Sequence, residues 1–143
     1  NSNIGKAVSL KVDDRIKALL LVPDNQLATA KARKLLPESI PHQDAVLNSA
    51  RTALLVHALA ERPDLLFTAT QDLLHQSYRA QAMPKTIALV DKLRGAGLAA
   101  VVSGAGPSVM VLYAGGEDEI DQLQSIAPGF TAMKLAIAKA GVQ

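Results

Sequence analysis

The first candidate for a chemical site is a glycine-rich segment, Ser103-Gly104-Ala105-Gly106-Pro107-Ser108. Glycine allows backbone conformations and close approaches that other residues cannot adopt, and such a loop can present N–H groups to an anion. The spacing matches neither a P-loop nor a dinucleotide-binding loop, because Pro107 and a strand follow Gly106 instead of a helix. The pattern alone therefore favours a hairpin connection between two strands over a phosphate cradle.

Two arginines stand where a fixed guanidinium could hold a carboxylate. Arg79 lies in the segment LLHQSYRAQAMP between two predicted helices, and Arg33 lies in TAKARKLLP. A guanidinium binds a carboxylate through two parallel hydrogen bonds. The alternative for either arginine is an ordinary solvated charge, which for Arg33 would lie on a helix surface.

The histidines predict neither a metal site nor a catalytic dyad. His42, His57 and His75 lack the spacing of a metal-ligand set, and the chain has no cysteine. We expect His57 to be buried or half-buried on an apolar helix, and His75 to interact with carbonyl groups at a helix end. Asp44 and Asn48 share a helix face and could line a cleft, but a helix-terminal acid and an exposed amide are the simpler interpretation.

The elements that must position these residues are of both types. Apolar runs predict strands over residues 15–23, 98–102, 108–113 and 130–137, with a short edge strand over 7–10. Helical spacing predicts helices over 29–36, 41–62, 64–76, 84–95 and 117–127. Residues 77–83 are expected to be an irregular connector.

Two details of these helices can be checked. We expect Thr29 to cap the first helix. In the longest helix, Val46, Ala50, Ala53 and His57 form one stripe at helical spacing.

The order strand, helices, strand, strand, helix, strand predicts an α+β fold. We expect a ferredoxin-like sandwich with one antiparallel sheet of about four strands and helices packed on one face. The length of 143 residues suits one domain with a substantial core.

Composition argues against several classes of function. The net charge is +2, and no basic run exceeds the pair Arg33-Lys34, which is a weak footprint for nucleic acid. Aromatic residues make up only 3%, so base stacking is poorly supported. No apolar run approaches the ~20 residues of a membrane span. The absence of cysteine fits a cytoplasmic protein.

Several segments together resemble a known family. SGAGPSVMVL is similar to the third motif of the GHMP small-molecule kinases. The companions VPDNQLATAKARKLLP, DAVLNSARTALLVHAL, LHQSYRAQAMP and LRGAGLAAVVSGAGPSVMVL resemble the C-terminal domain of bacterial homoserine kinases. The similarity extends over residues 7–137, and the glycine motif alone would indicate only the superfamily.

The resemblance implies a role for each motif. The family uses ATP and Mg²⁺ to phosphorylate the hydroxyl group of L-homoserine, on the way to threonine, and the matching positions for the substrate carboxylate are Arg33 and Arg79. Residues Ser103–Ser108 would lie near the nucleotide phosphates. The family's phosphate loop belongs to an N-terminal domain that these residues lack, so residues 1–143 would be one C-terminal domain, inactive alone and with little or no affinity for ATP.

Other functions remain open at this stage. The chain could belong to a different GHMP kinase, with mevalonate or a sugar as substrate. It could instead be a stand-alone ferredoxin-like module that binds an amino acid for regulation. A homodimer is compatible with the resemblance, but no feature of the sequence identifies its interface.

Overall fold

A computed structural model of the chain describes residues 9–25, 27–115 and 127–138. The strands are β1 (Ile16–Pro23), β2 (Ala99–Val102), β3 (Val109–Ala114) and β4 (Phe130–Leu135). The helices are α1 (Thr29–Arg33), α2 (His42–Ala60), α3 (Leu66–Ala69), α4 (Gln76–Arg79) and α5 (Pro84–Gly95). Short 3-10 turns span Pro63–Leu65 and Ala80–Ala82.

The four strands form one antiparallel sheet in the order β2-β3-β1-β4. The central strand β1 is the apolar run IKALLLVP, in which Leu19 pairs with Val111 of β3 and with Lys134 of β4. The structure confirms the predicted α+β class and the sheet of four strands. Each predicted strand between residues 15 and 137 is present, within two residues at either end.

Helix α5 covers one face of the sheet. Its side chains Leu89, Val90 and Leu93 form a cluster with Leu19 and Val111, and Leu93 is fully buried. Burying a side chain of this kind is worth about 1.5–3 kcal/mol. The helix is therefore held firmly against β2 and β3, the two strands that flank the glycine-rich segment.

A second cluster joins α2 and α3 to the sheet. Ala58 of α2 and Leu66 of α3 pack with Ile16 and Ala99. Successive residues of a strand point to opposite faces, so Ala99 lies on the other face from Ala100, which belongs to the α5 cluster. Strand β2 is consequently covered on both sides, by α5 on one face and by α2 and α3 on the other, so the expectation of helices on one face only was wrong.

The long helix α2 differs from expectation at one position. The side chain of His57 is 50% exposed and therefore not buried, and its Nδ1 lies 3.8 Å from Oε2 of Glu61. Its neighbour Ala58 is the residue that reaches the core. One residue along a helix turns the side chain by about 100°, which carries the stripe of Val46, Ala50, Ala53 and His57 onto the exposed side.

The segment between α2 and α5 is more broken than predicted. The helix expected over 64–76 ends at Ala69, and Thr70 donates its hydroxyl hydrogen bond back to the Leu66 carbonyl at 2.7 Å. A side-chain bond of this kind competes with helix continuation. The predicted connector 77–83 instead contains most of α4 and a 3-10 turn.

Three smaller predictions also have outcomes. Thr29 is the first residue of α1, and the preceding cap position, Ala28, makes no side-chain bond; Thr29 is therefore not a cap. Residues 9 and 10 are not in a strand, whereas residues 7 and 8 and nearly all of the predicted helix 117–127 lie outside the described residues. None of the helices that the structure describes has the length and apolarity to cross a bilayer.

Candidate functional site

The glycine-rich segment is a loop between strands β2 and β3. The Ser103 N–H donates to the Ser108 carbonyl at 2.8 Å, and the Gly106 N–H donates to the Ser103 carbonyl at 3.0 Å. Gly104 and Gly106 have φ of +58° and +82°, a region that favours glycine. The interpretation of this segment as a hairpin connection is confirmed.

Helix α5 and Met83, the residue before it, contact this loop. The hydroxyl group of Thr86, which is 2% exposed, donates to the Pro107 carbonyl at 2.7 Å. A Cβ atom placed on Gly106 would lie 2.6 Å from Sδ of Met83 and 3.1 Å from Cγ1 of Val102. The absence of a side chain at Gly106 thus lets the loop pack against Met83.

Asp72 fixes the start of α4. Its Oδ2 accepts hydrogen bonds from the N–H groups of His75 at 2.8 Å and Gln76 at 2.7 Å. The His75 ring Nδ1 lies 2.9 Å from Oδ1. Burial raises the pKa of Asp72, but the hydrogen bonds from Gln76 and His75 outweigh it and hold that pKa below its ordinary value. Asp72 is therefore an ionised anchor at neutral pH.

Helix α4 is bound to the loop by two side chains. The Val102 N–H donates to Oε1 of Gln76 at 2.6 Å, and Nη1 of Arg79 donates to the Gly104 carbonyl at 3.2 Å. Residues three apart lie on the same side of a helix. Gln76 and Arg79 therefore bind neighbouring points of one segment, the end of β2 and the loop that follows.

Arg79 is buried without a full set of partners. It is 7% exposed, and its Nε is buried with no hydrogen-bond partner. The ion pairs in the described ranges involve Arg15, Arg62, His57 and His75, and none includes Arg79. A buried charge without a counter-ion is unfavourable unless an anion is supplied.

Arg94 shows how a structural arginine differs from Arg79. Its guanidinium stacks on the ring of Phe67 at 4.4 Å and donates to the carbonyls of Phe67 and Ala100 and to the hydroxyl of Thr70. Desolvation, together with the charge of Arg51, lowers the pKa of Arg94. Arg94 uses both Nη1 and Nη2 within the fold, whereas the buried Nε of Arg79 has no partner among the described residues.

Both predicted arginines and two of the six predicted loop residues line one cavity of about 470 Å³. Arg33 and Arg79 both line it, with Gly104 and Ala105 of the loop. Thr29, Asp72, His75, Gln76 and Val102 complete the wall. Two larger cavities, of about 650 and 870 Å³, have neither arginine nor histidine among their described lining residues. Of the six loop residues predicted to form a site, Ser103, Gly106, Pro107 and Ser108 are not among the lining residues.

The charge pattern of this cavity suits a small anion. Two arginines are among its lining residues, and the N–H groups of Gly104 and Ala105 have no acceptor among the described residues. Arg33 is exposed, in the last turn of α1, so it can turn toward a ligand. Within the described residues no three His, Cys, Asp or Glu side chains cluster as metal ligands.

Sequence reasoning did not identify Thr29, Asp72 or Gln76 as part of the site. A signal was present in the sequence, because Gln76 and Arg79 are three apart, which places them on one helical face, and Asp72 precedes them where an acid favours a helix start. It was missed because the segment was divided between a helix ending at residue 76 and a connector. Asn48, considered as a cleft residue, accepts a bond from the Leu73 N–H at 3.1 Å and so braces the segment before α4.

Comparison with protein families and solved structures gives a consistent result. Residues 50–128 match the family model described as "GHMP kinases C terminal". The chain is 48% identical over 126 residues to the homoserine kinase of Streptomyces coelicolor, which covers 88% of this chain and 40% of that protein. It is 59% identical over 97 residues to the homoserine kinase of Leifsonia xyli, covering 68% of this chain and 30% of that protein.

A solved structure with the same fold is the homoserine kinase of Cytophaga hutchinsonii. Its TM-score is 0.78 at 24% identity, and the match covers 90% of this chain and 43% of that one. This likeness establishes the fold. The chain spans about two fifths of the length of the Streptomyces coelicolor protein that it matches.

The contact between Gly106 and Met83 gives a prediction for stability. Gly104→Ala should cost about 1–2 kcal/mol, because the new side chain has open space and only the backbone is strained. Gly106→Ala should cost about 1 kcal/mol more, because its Cβ also meets Val102 Cγ1 and forces the flexible end of the buried Met83 side chain to move. Denaturant unfolding of the two variants measures the difference. Equal losses for both variants would mean that Met83 does not restrict the loop.

Proposed function

Because the chain belongs to the GHMP kinase C-terminal family, we propose that it is the substrate-binding domain of a homoserine kinase. In this proposal residues 1–143 are one domain, and an N-terminal GHMP domain of the same protein supplies the ATP and Mg²⁺ sites. The reaction phosphorylates the side-chain hydroxyl of L-homoserine in cytoplasmic threonine biosynthesis. One observation carries the proposal: Arg79 is buried at the cavity with an unpaired Nε.

The unpaired Nε explains why a carboxylate is the expected ligand group. A guanidinium can present Nε–H and one Nη–H side by side to two carboxylate oxygens. Arg79 already gives Nη1 to the Gly104 carbonyl, so Nε and Nη2 remain as a pair. The second guanidinium, Arg33, lines the same cavity and supplies further positive charge.

The substrate would then be held by its carboxylate while its far end reaches the nucleotide. Phosphoryl transfer depends mainly on positioning and on neutralising charge. In the proposed complex the homoserine hydroxyl oxygen bonds to the γ-phosphorus of ATP, the bond to the β-phosphate oxygen breaks, and the hydroxyl proton is released. The free N–H groups of Gly104 and Ala105 would face the phosphates, which the N-terminal domain binds.

A second candidate function is a stand-alone module that binds an amino acid for regulation. One observation favours it: the cavity with both arginines is formed within this chain alone. Such a module would not require a nucleotide site. The two candidates differ in what the isolated chain does, so they can be separated by measurement.

The proposed function is tested with a chimeric enzyme. The segment of the Streptomyces coelicolor homoserine kinase that matches this chain is replaced by this chain, and ADP release is measured with L-homoserine, mevalonate and galactose. We expect activity with L-homoserine, and none from the isolated chain with ATP.

A folded chimera that binds ATP but phosphorylates another substrate, or none, would contradict the proposal. Calorimetry of the isolated chain with L-homoserine and L-threonine tests the alternative. Tight threonine binding by the isolated chain would favour the regulatory module.

The role of Arg79 is tested by Arg79→Ala in the same chimera. Loss of the buried guanidinium should lower the transition-state stabilisation by about 2–4 kcal/mol, which is measured as a fall in kcat/KM for L-homoserine. Lys31→Ala is the matched control, because Lys31 is an exposed cation of α1 outside the cavity lining. An unchanged kcat/KM in Arg79→Ala would remove this residue from the site.

A further inference from the structure

We propose that Gln76 is a positioning residue, whose side-chain carbonyl holds α4 against the end of β2 so that Arg79 stays in the wall of the cavity. The role of Arg79 as a carboxylate ligand rests on the proposed function. The contact that Gln76 makes does not depend on it. The experiments below separate these two statements.

The geometry begins at the edge of the sheet. Strand β2 is the first in the sheet order, so one of its edges has no neighbouring strand in the part of the chain that the structure describes. Val102 is the last residue of β2, and its N–H donates to Oε1 of Gln76 at 2.6 Å. The side chain of Gln76 thus satisfies a backbone donor that no strand satisfies.

Helix α4 needs such an external contact because it has only four residues. Helices of fewer than about 12 residues are marginal by themselves. Asp72 binds backbone N–H groups at the start of α4, but these bonds lie within residues 72–76 and do not connect α4 to the sheet. Gln76 and Arg79 bind positions 102 and 104 of the same segment, and the Gln76 bond is the shorter of the two.

The hydrogen bond from Arg79 to Gly104 would not hold α4 in place by itself. Arg79 donates to Gly104 at 3.2 Å, and Gly104 is an exposed loop residue with φ of +58°. Val102 is part of the hydrogen-bonded sheet, where it pairs with Val109. Gln76 therefore connects α4 to the rigid sheet, and Arg79 connects it only to the loop.

The requirement on residue 76 is an acceptor oxygen at the right distance. Gln76→Glu keeps that oxygen and nearly the same shape, whereas Gln76→Met keeps the length and removes the acceptor. Gln81→Met is the matched control, since Gln81 is an exposed glutamine in the following 3-10 turn. A role in side-chain packing alone would be satisfied by Met and would not require Glu.

The direct test measures hydrogen exchange of the Val102 amide in this chain. We expect exchange to be about tenfold faster in Gln76→Met, because the amide loses its acceptor. Gln76→Glu and Gln81→Met should keep the original rate. Unchanged protection of Val102 in Gln76→Met would overturn the proposal.

The functional test uses the chimeric homoserine kinase described above. Gln76→Met should raise KM for L-homoserine about tenfold with kcat within about twofold, because a misplaced Arg79 weakens ground-state and transition-state binding alike. KM for ATP should not change, and the control Gln81→Met, which lies outside the cavity lining, should keep the parent KM for L-homoserine.

An active chimera whose KM for L-homoserine is unaffected by Gln76→Met, or is raised equally by Gln81→Met, would contradict the positioning role. An inactive parent chimera would instead contradict the proposed function, and the exchange of Val102 would still decide whether Gln76 holds α4.

Discussion

A buried guanidinium without a counter-ion is the constraint on which the site depends. Arg79 is 7% exposed, donates Nη1 to the Gly104 carbonyl, and leaves Nε without a partner among the described residues. Leaving a buried donor unsatisfied costs about 1–3 kcal/mol, and more for a charged group. The fold holds this charge in place, and a ligand carboxylate would complete its hydrogen bonds.

Contacts from the surrounding elements restrict the position of that arginine. The cluster on α5 fixes the sheet, Thr86 fixes Pro107 of the loop, and Met83 packs against Gly106. On the other side, Asp72 and Gln76 fix α4. Arg94, by contrast, has its donors satisfied by Phe67, Thr70 and Ala100, so its charge stabilises the fold and is not available to a ligand. Burial alone therefore does not distinguish a structural arginine from a ligand-binding one, and the proposed ligand role of Arg79 rests on its unpaired Nε at the cavity.

The sequence predicted the elements that depend on local pattern and missed those that depend on distant contacts. The strands and α5 are apolar runs with clear boundaries, and all were predicted within a few residues. Helix α4 was missed because its four residues are held by partners 25 and 26 positions away, which no local window contains. For the same reason the residues alone left Arg79 open between a surface charge and a ligand. The resemblance to homoserine kinases pointed to Arg33 and Arg79, and the structure adds the shared cavity and the unpaired Nε.

The central claim is that the free Nε–H of Arg79 binds a carboxylate, and nitrogen-15 NMR of that group measures it most directly. The isolated chain would be titrated with L-homoserine and, in parallel, with homoserinol, which has the same amine and hydroxyl groups but no carboxylate. The account predicts that the Arg79 Nε resonance moves with L-homoserine and stays in place with homoserinol. An identical response to both compounds, or none to L-homoserine while the Gly104 and Ala105 amides shift, would contradict it.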